Sequence, residues 1–257
     1  MKITILASGS KGNSIYVEGE DGALLIDAGL SAKEIRTRLA AAGGDEEAIR
    51  AILVTHEHID HIRGVDVLAR RLGVPVVGTC GTLRAFLDKR ISTKAVETVR
   101  ATYGDSLEFG NFSVTPFATV HDASEPCGFC VREDDIGFGC CLDTGIVTPG
   151  IERALGTCDA VVLESNHCPT MLEEGPYPYY LKERIRSKRG HLSNTAAATC
   201  LGDIGENLSA VILAHLSEVN NTPEKAVAAA EGGLGLFLDD TDLVVSGQHE
   251  ASRPVIL

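Results

Sequence analysis

Tryptophan is absent from this 257-residue sequence, aromatic residues make up only 5% of it, and methionine occurs twice. No platform for stacking nucleic-acid bases stands out, so any chemistry on nucleic acid is expected to read backbone and chain ends rather than base sequence. No apolar run approaches the roughly 18 residues that a membrane span needs. The opening stretch from Met1 to Ser14 has only a short apolar segment, so no signal peptide is expected, and a cytoplasmic protein with no membrane partner is predicted. Low-complexity tracts, flexible linkers and internal repeats are missing too, so residues 1–257 are expected to form one domain with a sizeable core.

Positive charge is scarce as well: 23 Lys and Arg face 36 Asp and Glu, a formal net charge of −13. A field of that sign repels phosphates, which excludes a general nucleic-acid-binding surface and leaves room only for a local basic patch. Divalent cations held inside a cleft would offset part of the excess. Cysteine is not scarce, with eight residues, but its pattern lacks a second metal-type pair. Cys127-x-x-Cys130 stands alone and Cys140-Cys141 has the wrong spacing, so reduced thiols are expected, not a zinc knuckle or disulfides.

What is present is a succession of short strands and amphipathic helices. Strand-like runs occupy Ile3 to Leu6, Ser14 to Val17, Ala23 to Ile26 and Ala51 to Val54. Ser31 caps a predicted helix over Ala32 to Ala42, and a second is predicted from about Ile62 to Leu72. The middle reads as β-structure at Ser106 to Phe109, Phe112 to Ala118, Gly128 to Val131 and Ile136 to Leu142, with a hairpin turn at Gly110-Asn111. A buried strand at Ala160 to Leu163, helical stretches at 171–187 and 193–201, a strand at Ala210 to Leu213, a helix after Thr222-Pro223 and a last strand at Leu243 to Val245 follow. This α/β pattern predicts two mixed sheets packed together with helices outside.

The strongest chemical signal is Thr55-His56-Glu57-His58-Ile59-Asp60-His61. On extended backbone, side chains two residues apart point the same way, so His56 and His58 can share one ion. Asp60 and His61 open the next helix and can serve a second. Imidazole and carboxylate together suit zinc or manganese, with iron also compatible, and not calcium. Three more residues repeat one setting at the carboxyl end of an apolar run: His121 after FSVTPFATV, Asp143 after IGFGCCL, and His215 after AVILA. One histidine in such a place is an ordinary structural residue. Several strand ends carrying such groups can converge on one cleft.

These residues resemble the metallo-β-lactamase superfamily: His-x-His-x-Asp-His after a strand, a later His, an Asp within Leu142-Asp143-Thr144-Gly145, and a final His. Leu25-Ile26-Asp27-Ala28-Gly29 is similar to its first motif. Ala7 to Ser14, His121 to Pro126, Gly190 to Asn194 and His215 to Asn221 resemble the YycJ/WalJ branch, although Cys168 stands where that branch often has Asp. The resemblance implies an αββα sandwich. It implies one metal on His56, His58 and His121, a second on Asp60, His61 and His215, and Asp143 bridging both. Asp27 would orient a ligand or close a turn. The branch implies a DNA exonuclease related to repair, with 5′ to 3′ as its candidate polarity.

Substrate is the less determined part. The run Lys182-Glu183-Arg184-Ile185-Arg186-Ser187-Lys188-Arg189 is the one dense basic stretch, just before His191, Ser193 and Asn194. Ser193 is a natural N-cap whose helix amino end can hold a phosphate. Lys188, Arg189, Ser193, Asn194 and Asn220 are therefore candidate substrate contacts, though a solvated helix face and a simple Asn220-Asn221-Thr222-Pro223 turn fit the same residues. His191 is the candidate proton donor to a leaving oxygen, acting with Asp60 and Asp143. DNA is the leading substrate, a small or cyclic phosphodiester the alternative, and a non-catalytic regulatory role is disfavoured by the complete ligand set. Oligomeric state leaves no mark in the sequence.

Overall fold

The computed structural model describes residues 1–257. The first half of the chain forms β1 (Lys2–Ala7), β2 (Ser14–Glu18), β3 (Ala23–Ile26), α1 (Ala32–Ala41), β4 (Ile49–Leu53), α2 (Ile59–Ile62), α3 (Val65–Leu72), β5 (Val76–Gly78), α4 (Cys80–Lys89) and β6 (Thr98–Arg100). The second half forms β7 (Leu107–Phe109), β8 (Phe112–Ala118), β9 (Cys127–Glu133), β10 (Ile136–Cys141), α5 (Pro149–Leu155), β11 (Ala160–Glu164), α6 (Pro169–Glu174), α7 (Tyr179–Arg186), α8 (Asn194–Ile204), β12 (Ala210–Ala214), α9 (Pro223–Leu234), β13 (Asp242–Val245) and β14 (Val255–Ile256). Two seven-stranded sheets result, ordered β14-β1-β2-β3-β4-β5-β6 and β13-β12-β11-β10-β9-β8-β7. Each is antiparallel at one end and parallel at the other, since β3 to β6 and β10 to β13 run parallel with their neighbours. The expected pair of mixed sheets is present.

Alternation along the strands divides the apolar residues into three clusters. Ile3, Ile5 and Leu24 of one sheet meet Phe112, Phe129 and Phe138 of the other in a central core between the sheets. Each of these buried phenyl groups contributes about 1.5–3 kcal/mol relative to an exposed one. A second cluster, including Tyr16, Ile35, Leu68 and Phe86, packs α1, α3 and α4 on the outer face of the first sheet. A third, including Leu155, Leu201 and Leu234, packs α5, α8 and α9 on the second. The layer order is helix, sheet, sheet, helix. No helix is long and apolar enough to cross a membrane.

The same alternation disposes of the cysteine pairs. Cys127 and Cys140 face the central core while Cys130 and Cys141 face the outer one, so neither pair can grip one ion from a single face. All eight cysteines are free.

Three element predictions need correction. The helix expected from about Ile62 to Leu72 starts at Val65, with the short α2 ending at Ile62 before it, because the chain turns at Gly64, whose amide donates to the Ala28 carbonyl at 2.7 Å. The helical stretch at 171–187 is two helices, separated by Gly175-Pro176-Tyr177-Pro178, where proline removes amide donors and clashes with a preceding turn. The strand at 242–245 is not the last: Val255 and Ile256 return to pair antiparallel with Lys2 and Ile3.

Candidate metal centre

Ends of strands from both sheets converge at one edge of the sandwich. His56 and His58 follow β4, His121 follows β8, Asp143 follows β10, and His215 follows β12. Ligands in sheets with parallel strands gather at carboxyl ends for this topological reason. Local backbone pins several of them. Asp27, Asp143 and His215 adopt φ of 58°, 51° and 57°, three of the four non-glycine residues with positive φ. That conformation costs about 1–3 kcal/mol per residue and persists where surrounding contacts enforce it. Close packing fixes α2 as well: a Cβ on Gly29 would sit 1.6 Å from the Asp60 carbonyl oxygen.

Four overlapping groups have their side-chain atoms within 4.8 Å of one another: two contain Asp143, one with His56/His61 and one with Glu164/His191/His215, and the other two are His56/His58/His121 and Asp60/His61/His215. Asp143 lies between the latter two. Its Oδ2 is 2.8 Å from His61 Nε2 and 3.8 Å from His56 Nε2, and its Oδ1 is 3.9 Å from His121 Nε2 and 3.4 Å from His215 Nδ1. The structure thus brings together all seven residues singled out as ligands.

Around them, other side chains hold the imidazoles in one orientation. Asp27 accepts from His61 Nδ1 at 2.7 Å and from the Thr55 hydroxyl and amide at 2.7 and 2.9 Å. His56 Nδ1 meets Thr55 Oγ1 at 3.1 Å, and His121 Nδ1 donates to the Gly190 carbonyl at 2.9 Å. Glu164 accepts from His215 Nδ1 at 3.0 Å and His191 Nδ1 at 2.7 Å. A ring tethered at Nδ1 presents Nε2, which is how metal-binding histidines are commonly arranged.

The inward atoms fit a cation. His56 Nε2 and His215 Nε2 are buried without a hydrogen-bond partner, a costly state for polar groups unless something else satisfies them. Charge points the same way. Burial opposes ionisation of Asp143, yet His215 and His61 beside it hold its carboxyl well below the usual range. Burial lowers the His61 imidazole, but Asp27 and Asp143 outweigh it and push the pKa up to about 10. Burial alone dominates at His56, which is pushed well below its usual value. The cluster of buried carboxylates demands positive charge from whatever lies among them.

Residues 23–216 match the family model described as a β-lactamase superfamily domain. The chain belongs to the metallo-β-lactamase superfamily. It is 37% identical over 245 residues to the exodeoxyribonuclease WalJ of Streptococcus pneumoniae, covering 91% of each chain. It is also 37% identical over 227 residues to the exodeoxyribonuclease YycJ of Bacillus anthracis, covering 88% of this chain and 86% of that one. Among solved structures, the metallo-β-lactamase-fold protein YhfI from Bacillus subtilis superposes with a TM-score of 0.75 at 14% identity, over 97% of this chain and 98% of that chain. Zn(2+)-bound PqqB from Methylobacterium extorquens does so with a TM-score of 0.74 at 18% identity over both full chains.

In this metallo-β-lactamase-superfamily chain, two of the candidate ligands, His121 and His215, border a cleft of about 220 Å³ whose walls also include Ser10, Asp122, Tyr177, Arg184 and His191. His191 lies at its edge with Nδ1 taken by Glu164 and 3.1 Å from Asp143 Oδ1. Lys188 and Arg189 are exposed on the turn after α7, and Arg189 Nε donates to the His121 carbonyl at 3.1 Å. Ser193 caps α8 by accepting from the Ala196 amide.

Asn194 is a correction: it is buried, and its amide group is engaged by Ser165 and Asn221 at 2.8 Å each, so it braces the loops and does not reach the cleft. Asn220 is also fully buried, with its backbone amide held by Ser217 Oγ. The basic run is less basic than its composition suggests. Arg184 pairs with Asp122 at 2.7 Å and Arg186 with Glu173 and Glu183 at 3.0 and 2.8 Å, leaving Lys182, Lys188 and Arg189 without an acidic partner.

Sequence reasoning missed Glu164, whose carboxylate also accepts from the Thr144 and Leu192 amides. Its signal is nonetheless in the sequence: it closes the apolar run AVVLE as His215 and Asp143 follow theirs. Asp122 and Asn13 lie inside stretches that carry the family resemblance, with nothing local to mark a role for either. Yet Asp122 Oδ1 is 3.1 Å from His121 Nε2, and the Asn13 amide nitrogen lies 3.0 Å from His61 Nε2.

Proposed function

We propose that the protein is a dinuclear metal-dependent phosphodiesterase and that its substrate is DNA, degraded from an end. The observation that carries this reading is the pair of ligand groups sharing Asp143. His56, His58 and His121 would hold one divalent ion and Asp60, His61 and His215 the other, with Asp143 common to both. Zinc and manganese suit this donor set, and iron is compatible with it. Ions held there supply Lewis acidity toward phosphoryl oxygens and lower the pKa of the attacking water.

The chain's own residues do the rest. Asp27 and Glu164 fix the rings of His61, His215 and His191 through Nδ1, which keeps the geometry ready before substrate arrives. With Nδ1 so held, His191 has Nε2 left to protonate the leaving oxygen. The 187–189 turn rests on the Asp143 loop, since a Cβ on Gly145 would meet the Ser187 carbonyl at 2.4 Å. Lys188 and Arg189 thereby stand beside the cleft as phosphate-binding groups. DNA is favoured over a small phosphodiester by the names of the two relatives that share most of the chain's length, both exodeoxyribonucleases.

The deciding experiment is hydrolysis of end-labelled single- and double-stranded DNA with manganese or zinc. Stepwise shortening that needs the metal supports an exonuclease, and the labelled end gives its polarity. No cleavage of DNA, with turnover of bis-p-nitrophenyl phosphate retained, would move the reading to a small or cyclic phosphodiester.

The double variant Lys188→Ala/Arg189→Ala should bind DNA more weakly at low salt. Its log–log salt slope should be shallower by about 1.5, because each phosphate that a cation no longer neutralises removes about 0.7–0.9 from the slope. An unchanged slope would remove these two residues from the substrate path.

A further inference from the structure

We infer that Tyr177, Tyr179 and Tyr180 form a stacking surface for the unpaired bases at the end of a DNA strand whose terminal phosphodiester lies in the cleft. The inference rests on the DNA-exonuclease reading and adds the form of the substrate, a single-stranded or frayed end. Three of the chain's five tyrosines fall within four consecutive positions, at the amino end of α7 and on the loop leading into it. Tyr16 and Tyr103 spend their hydroxyls on the Asp45 and Pro126 carbonyls, whereas the three clustered hydroxyls meet no protein partner. Tyr179 and Tyr180 are 74% and 75% exposed, and Tyr177 lines the cleft itself beside His121 and His191.

Placement and charge argue for a nucleic-acid strand as the occupant. The helix bearing these rings is tied to the metal cluster, because Arg184 grips Asp122, the neighbour of His121. Tyr180 precedes Arg184 by four residues and so lies one helical turn away on the same side. Lys182, on this helix, and Lys188 and Arg189, on the turn after it, carry no acidic partner and can neutralise phosphates running past the rings. Pro176 and Pro178 flank Tyr177 and restrict the backbone, which lowers the entropy lost when a base stacks there. Aromatic faces beside a basic strip are the combination that binds single strands without sequence preference. A duplex interior offers no free base faces to such rings; a single-stranded or frayed end does.

Because the chain lacks tryptophan, tyrosine emission reports stacking directly. The experiment titrates the full-length, metal-loaded protein with a short phosphorothioate oligothymidylate, which resists hydrolysis, and with an abasic oligomer of equal charge. Both probes should bind, and only the base-bearing one should quench tyrosine emission. Tyr177→Ala/Tyr179→Ala/Tyr180→Ala should weaken binding of the base-bearing probe about tenfold or more, leave the abasic probe bound as before, and keep the melting temperature. The corresponding triple Phe variant should retain wild-type affinity, because a phenyl ring stacks as a phenol does. Equal losses on both probes, or no loss on either, would overturn the inference. If wild-type protein degrades DNA while the Ala variant binds like wild type, the stacking surface fails and the nuclease reading stands. If the tyrosine signature appears but no DNA is degraded, the nuclease reading fails and the strand-binding surface stands.

Discussion

Asp143→Ala is expected to lower kcat/KM for phosphodiester hydrolysis by about 10³-fold or more and to reduce the metal content of the purified protein. No other candidate ligand reaches members of both groups so evenly, from His61 at 2.8 Å to His121 at 3.9 Å. A metal that polarises the phosphoryl group contributes several kcal/mol of transition-state stabilisation, and about 4 kcal/mol is a factor of about 10³. Alanine has a second cost here, because Asp143 sits at φ 51°, where Asn and Asp are tolerated far better than other side chains. Asp143→Asn therefore separates the two effects. It keeps the backbone preference and removes the charge, so its melting temperature in the metal-free state should stay close to wild type while activity still collapses. Metal analysis by mass spectrometry and turnover of a small diester are the readouts. An Asn variant with near wild-type turnover would take Asp143 out of the centre. Full metal occupancy with activity lost would make it a residue acting on substrate instead of a ligand.

The legibility of this site in the sequence follows from how its parts are encoded. His56 to His61 pack four candidate ligands into six residues, a density that no strand or helix face requires for packing. His121, Asp143 and His215 are readable because the strands before them are apolar and end abruptly. Glu164 obeys the same rule but stands alone among common acidic residues, and its importance lies in partners 20 to 51 positions away. The β5–α4–β6 excursion escapes detection because three-residue strands such as Val76–Gly78 are too short to show alternation. Asn194 misleads because its position beside a cap residue is visible in the sequence while its inward orientation is set by Ser165 and Asn221. The tyrosines show a different failure: an average of 5% aromatic residues conceals a cluster, and composition is blind to clustering.

Glu164 carries the other large expected effect. It is fully buried, and four donors from three other segments converge on it: His191 and His215 Nδ1 at 2.7 and 3.0 Å, and the Thr144 and Leu192 amides at 2.9 and 3.2 Å. Removing an acceptor of that kind strands buried donors, which typically costs about 3–5 kcal/mol. Glu164→Ala should accordingly lower the melting temperature by about 10 °C in a chain of this size. Glu164→Gln keeps the shape and two amide-oxygen lone pairs but turns an NH₂ toward a donor. Its main loss should be metal affinity, about 10–100-fold, because the ligand His215 loses the carboxylate that orients it. Acid titration distinguishes charge from shape. Burial raises the Glu164 pKa, but His191 and His215 outweigh burial and hold it at about 2, below the ordinary 4.5. A depressed carboxyl stabilises the fold above its ordinary pKa and loses that contribution as pH falls toward the folded value. The stability gap between wild type and Glu164→Gln in the metal-free protein should therefore be full near neutrality and shrink between pH 4.5 and about 2. A gap that stays constant through that range would mean that Glu164 acts by shape alone, and the electrostatic account of how this layer holds the imidazoles would have to be abandoned.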